Sequence, residues 1–148
     1  MFTPSRTDVR RFVIEAWQKR RSGLPASALE TLAADVAQLH PEYHALLESG
    51  DEALEREWTP IAGETNPFLH LSLHLAIEEQ LSIDQPFGIA TRFSQLMARN
   101  HGDRHAAIHV ILECLGETLW RANREQKPLD AEAYLACLGR AAGNPNQT

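Results

Sequence analysis

This 148-residue chain has little that suits a disulfide scaffold, a membrane span or a phosphate-binding loop. It has two cysteines, Cys114 and Cys137, each within an apolar helical pattern and not forming a C-x-x-C pair. They are expected to be reduced core residues of a cytoplasmic protein. A thiolate-ligand role for Cys114, beside Glu113, is disfavoured because helical neighbours point about 100° apart. No apolar run reaches the roughly 20 residues of a membrane helix. The N-terminal MFTPSRTDVRR has no apolar core of a secretory signal. The eight glycines are scattered, with no G-x-x-x-x-G-K-[ST], G-x-G-x-x-G or G-x-S-x-G among them. Nucleotide binding and serine-hydrolase chemistry are therefore disfavoured. Positive charge is also scarce, with a net charge of −6. The one basic cluster is Arg6, Arg10, Arg11, Lys19, Arg20 and Arg21, expected to form a solvated helix face. Nucleic acid and anionic membrane are poor partners for such a chain, because neutralising phosphates requires clustered cations.

Period-two alternation is missing over any strand length, whereas period 3.6 runs through almost every segment. The expected fold is all-α, a helical bundle of about five to six helices in one domain over residues 1–142, with a disordered tail at 143–148. The first helix is expected over Ser5 to Arg21, burying Val9, Phe12, Val13, Ala16 and Trp17. Pro25 opens a second, with Leu29, Leu32, Val36 and His40 on one stripe. Pro41 breaks that helix at His40 and starts a short continuation to Glu48. A loop follows from Ser49 to Thr65, with Trp58 packed onto the core. Asn66-Pro67 is a strong helix start, with Asn as N-cap and Pro as first helical residue, and the helix runs to about Ser82. Pro86 starts another, with Ile89, Phe93, Leu96 and Met97 buried. Asp103 caps the longest, to about Arg124, and Asp130 caps a last short one carrying Leu135 and Leu138.

What the chain does have is histidine at a fixed spacing. His-x-x-x-His-x-x-x-Glu occurs as His40, His44, Glu48, then His70, His74, Glu78, then His105, His109, Glu113, taking six of the seven histidines. Composition alone gives roughly 0.03 such matches, so three exceed chance. Four-residue steps stack side chains on one helix face, making each copy a ladder of two imidazoles and a carboxylate. Apolar residues surround the second and third ladders, and a buried carboxylate without a counter-charge costs several kcal/mol. A divalent cation would supply that charge. The candidate metal ligands are His40, His44, His70, His74, Glu78, His105, His109 and Glu113. The first ladder is the least secure, because Pro41 interrupts it. So many donors exceed one tetrahedral zinc site and suit a dinuclear centre. Imidazole mixed with carboxylate in a bundle favours iron or manganese and is compatible with zinc. Glu117 extends the third ladder by a turn, and His101 lies outside any ladder.

Two accounts follow. One is a non-haem metal-binding bundle whose site supports oxygen chemistry or hydrolysis by a metal-bound hydroxide. The alternative is a non-enzymatic helical interaction protein whose ladders form a buried His–Glu network without metal. A sensor whose metal holds a conformation for a partner is a third, weaker account. No reaction, and no enzymatic status, follows from the ladders. The expected partner is a small molecule or a protein, with self-association compatible and neither nucleic acid nor membrane implied.

The donor set resembles that of hemerythrin-like proteins, which use His-x-x-x-His and His-x-x-x-Glu on bundle helices. The resemblance is to ingredients only, so oxygen carriage does not follow. Ferritin-like carboxylate proteins are further away, since no Glu-x-x-His pair occurs. The segments HPEYH at 40–44, NPFLHLSLHLAIEEQ at 66–80 and HVILECLGETLW at 109–120 are similar to a small bacterial family known as a domain of unknown function, number eighteen forty-one. The similarity runs from the first helix to Trp120. It implies a cytoplasmic bacterial protein and no particular activity.

Overall fold

The computed structural model describes residues 6–58 and 66–143. Regular structure among them is entirely helical, with eight α-helices and one 3-10 turn: α1 (Arg6–Ser22), α2 (Ala28–Gln38), the turn Pro41–Tyr43, α3 (His44–Leu47), α4 (Asp51–Glu55), α5 (Pro67–Ile83), α6 (Ile89–Arg99), α7 (Arg104–Glu125) and α8 (Ala131–Ala141). The all-α expectation holds; the helix count exceeds five to six because the continuation expected after Pro41 forms a short helix of its own, α3, and α4 is additional. α4 forms inside the expected 49–65 loop. Gly50, at φ +72, turns the chain, and Asp51 and Glu52 fill the first turn, where acidic side chains suit the helix dipole. The rest of that loop at 59–65, the start at Ser5 and the tail at 144–148 lie outside the described residues. Chain contacts divide the protein into two compact units, Met1–Leu75 and Ala76–Thr148.

In the first unit, α1 buries Val13, Ile14, Ala16 and Trp17 while α2, which packs on it, buries Ala33, Ala34, Val36 and Ala37. Small residues on α2 let the two helices approach closely, and the bulk comes from α1. α2 begins at Ala28 instead of Pro25, because Ser27 and Glu30 form a capping box. Leu29, expected on the buried stripe, lies beside that cap and is exposed. The basic face of α1 is also corrected. Arg10 is 1% exposed, and its Nη1 donates to the carbonyls of Ala53 (3.2 Å), Leu54 (3.1 Å) and Arg56 (2.8 Å). Those carbonyls end α4, where the helix leaves acceptors unpaired and the dipole favours a cation. The guanidinium also lies 5.0 Å from the Trp58 ring and 5.1 Å from the Phe68 ring. Trp58 packs onto the core as expected. Lys19 pairs with Glu30, Arg20 with Asp35, and Arg21 with Glu48. Much of the basic cluster is therefore spent on intramolecular contacts.

In the second unit, α6, α7 and α8 contact one another. Their core includes Ile89, Leu96, Ile108, Ile111, Leu115, Tyr134 and Leu138. Asp84 Oδ1 accepts from the backbone N–H of Gly88 and Ala90, which starts α6 at Ile89, three residues beyond Pro86. Asp103 and Asp130 cap α7 and α8 as expected. Burial pushes the Tyr134 phenol pKa upward, and its O–H donates to Gln80 Oε1 at 2.8 Å. Cys114 and Cys137 are not reduced thiols. They form a disulfide joining α7 to α8 across a Cα–Cα distance of 5.9 Å. That span lies within disulfide range, and no local spacing in the sequence announces it. The bond also removes Cys114 as a thiolate donor. Among the described residues no helix is long and apolar enough to cross a membrane.

Candidate metal centre

Pro41 shapes the first part of the site. A residue preceding proline is pushed away from helical geometry, and His40 takes φ −125, ψ 68. α2 therefore stops, and the chain passes through the Pro41–Tyr43 turn into α3. His40 is 2% exposed, and its Nδ1–H donates to the Val36 carbonyl at 2.8 Å. This carbonyl lies in the last turn of α2, where regular helical donors run out, and it also accepts from the Leu39 N–H at 3.1 Å. A neutral imidazole has one N–H and one lone pair. Committing the proton at Nδ1 leaves the lone pair of His40 on Nε2, the arrangement in which a supporting carbonyl fixes a ligating tautomer.

α5 supplies the other two imidazoles. Asn66 Oδ1 accepts from the N–H groups of Phe68 (3.0 Å) and Leu69 (3.2 Å), so the helix begins where Asn66-Pro67 predicts. His70 and His74 follow at successive turns. His70 Nε2 lies 3.1 Å from His40 Nε2 and 3.2 Å from His74 Nε2. The rings stand edge to face, with centroids 4.6 to 4.9 Å apart. Tyr43 flanks them, stacked on His40 at 5.5 Å and edge-on to His70 at 5.9 Å. Burial raises the Tyr43 phenol pKa, and the neighbouring Glu42 adds to the shift.

Three Nε2 atoms therefore converge, and the middle one faces both others. A proton on His70 Nε2 can be directed fully to one neighbour or shared weakly between both. A cation at the focus would take a lone pair from every ring. A tetrahedral ion with bonds of about 2.0–2.1 Å sets ligand nitrogens about 3.3–3.4 Å apart. An octahedral ion with bonds of roughly 2.2 Å sets cis nitrogens about 3.1 Å apart. The observed spacings suit either.

The other candidate ligands are placed differently. His44 Nε2–H donates to the Ala37 carbonyl at 2.8 Å, and its ring stacks on Trp17 at 4.2 Å. It finishes α2, and its Nε2 lone pair is not on offer. Glu48 pairs with Arg21 at 2.8 Å. Glu78, one turn beyond His74, forms a fork with Arg104, Nη1 to Oε1 and Nη2 to Oε2, both at 2.8 Å. That hydrogen bonding raises the Arg104 pKa. Glu113 and Glu117 are exposed. His105 and His109 lie together on α7, half-buried, with centroids 4.1 Å apart. His101 is exposed, at φ +56. In each ladder the carboxylate thus has an arginine partner or faces solvent. Arg104 was the missing term, and only its sequence position before the His105 ladder hinted at it.

No curated protein and no solved structure matches the chain. A family profile described as "Domain of unknown function (DUF1841)" matches residues 5–140. With nearly the whole length matched, the chain belongs to the DUF1841 family.

Proposed function

We propose that the protein binds a divalent transition-metal ion through the Nε2 atoms of His40, His70 and His74. The carrying observation is the convergence of three Nε2 atoms with the His40 proton held at Nδ1 by the Val36 carbonyl. His105, Glu78 and Glu113 retreat to supporting roles in this reading, and His44 to a structural one. An imidazole-only set suits zinc, copper, iron and nickel, and loses the carboxylates that would favour manganese. A mononuclear centre replaces the dinuclear one in this reading, since Glu78 is engaged by Arg104 and Glu113 is exposed. When bound, the ion would act as a Lewis acid or lower the pKa of a bound water. His40, His70 and His74 hold it, and the packed Tyr43 ring limits water on one side.

The test is elemental mass spectrometry on untagged protein purified without chelator or nickel resin, with His74→Ala and His70→Ala in parallel. One equivalent in the parent protein and none in either variant is the expected result. A metal-free parent that also refuses added zinc, iron and copper would refute the proposal and leave a hydrogen-bonded histidine network.

A further inference from the structure

The charge of the proposed centre has a consequence for what else it binds. We infer that the metal site is an anion receptor, taking a small monoanion of carboxylate or inorganic type as an exogenous ligand on the ion. This rests on the metal reading above. Neutral imidazoles contribute no charge, so a divalent ion held by three of them retains both positive charges. In a mixed histidine–carboxylate site the protein supplies the compensation. Here the ladder carboxylates are committed elsewhere: Glu48 to Arg21, Glu78 to both guanidinium nitrogens of Arg104. Glu113 and Glu42 are exposed and screened by solvent. Among the described residues the metal-spaced cluster contains imidazoles and no carboxylate.

Burial sharpens the demand. His40 and His74 are nearly inaccessible, at 2% and 3% exposure, so the ion would be partly removed from water. A desolvated charge requires a counter-charge at close range, and a bound cation dominates the local field. Three nitrogen ligands do not fill a four-, five- or six-coordinate sphere. The remaining position is where the counter-charge can be supplied, by displacement of a water molecule. No bond in the protein is made or broken.

The experiment loads the full chain with Co(II), whose visible bands report ligand number and type, and titrates it with sodium azide. Sodium perchlorate at equal ionic strength serves as the non-coordinating control. A saturable shift of the Co(II) bands with azide and none with perchlorate is expected, and acetate should compete with it. Cobalt bands that form but respond equally to both salts, or to neither, would overturn the anion site while leaving the metal site intact. Failure to develop protein-bound cobalt bands at all, with a circular dichroism spectrum showing folded protein, would overturn the metal reading and the anion site with it. His74→Ala should lose the cobalt bands, and Glu117→Gln, an exposed change on α7, should keep both bands and azide response.

Discussion

Replacing Arg10 with methionine tests the packing of the first unit most directly. Methionine keeps an apolar stem in the same space and removes the guanidinium. The carbonyls of Ala53, Leu54 and Arg56 would then lose their shared charged donor. A hydrogen bond to a charged group contributes about 1.5–3 kcal/mol, and each buried acceptor left unpaired costs about 1–3 kcal/mol. Three acceptors on one nitrogen are not three independent bonds, so about 3–5 kcal/mol is an upper range. Contacts with the Trp58 and Phe68 faces add about 0.5–2 kcal/mol. Relief from burying a charge offsets part of this. The net expectation is a loss of about 2–4 kcal/mol, or about 6–12 °C in Tm at roughly 3 °C per kcal/mol. Thermal unfolding followed by circular dichroism, with a urea midpoint as a second measure, reads this out. Arg10→Lys should recover less than half of the loss, because an ammonium cannot lie flat between two rings. A Tm within about 2 °C of the parent for Arg10→Met would refute the clamp as a stabilising element.

Other outcomes follow from the same geometry. His40→Ala and His74→Ala should each weaken zinc binding, measured against a chromophoric chelator, by more than the about 10–100-fold typical of losing a supporting partner. Glu78→Gln should leave metal content unchanged and cost about 0.5–1 kcal/mol, since it breaks a partly exposed ion pair; loss of metal would return Glu78 to the ligand set. The Lys19 ammonium, hydrogen-bonded to Glu30, holds that carboxyl below its ordinary pKa of 4.5. Its contribution is therefore present above that value and falls away as acid protonates the folded form. Glu30→Gln should lower stability near neutrality and flatten the acid limb of a stability–pH curve, so that the difference from the parent vanishes at low pH.

Legibility from sequence was uneven, for physical reasons. Caps are local, so Asn66-Pro67, Asp103 and Asp130 predict the starts of α5, α7 and α8. The His40-Pro41 break is equally local, since proline constrains the residue before it. The ladder spacing placed His70 and His74 on one face, and the structure puts their Nε2 atoms 3.2 Å apart. Spacing along one helix does not reveal what faces it, however. Glu78 meets Arg104, 26 residues away, and Arg10 meets carbonyls more than 40 residues away. Charge composition labels such arginines as surface residues, because burial of a guanidinium depends on acceptors that only the tertiary fold assembles. The cysteine pair shows the same limit. The Ser27–Glu30 capping box was a local signal that Pro25 overshadowed.

The bond between Cys114 and Cys137 makes the α7–α8 hairpin a closed covalent ring spanning a sequence separation of 23. A cut inside that ring, for instance after exposed Arg124, opens it without releasing either end. The two pieces travel as one molecule until a thiol reductant reaches the sulfurs. Limited proteolysis of this protein therefore reports two different things according to the buffer. Without reductant, a nicked chain keeps its full mass. With reductant, the same digest separates into fragments, and the difference between the two gels counts the nicks that the sulfur bridge conceals.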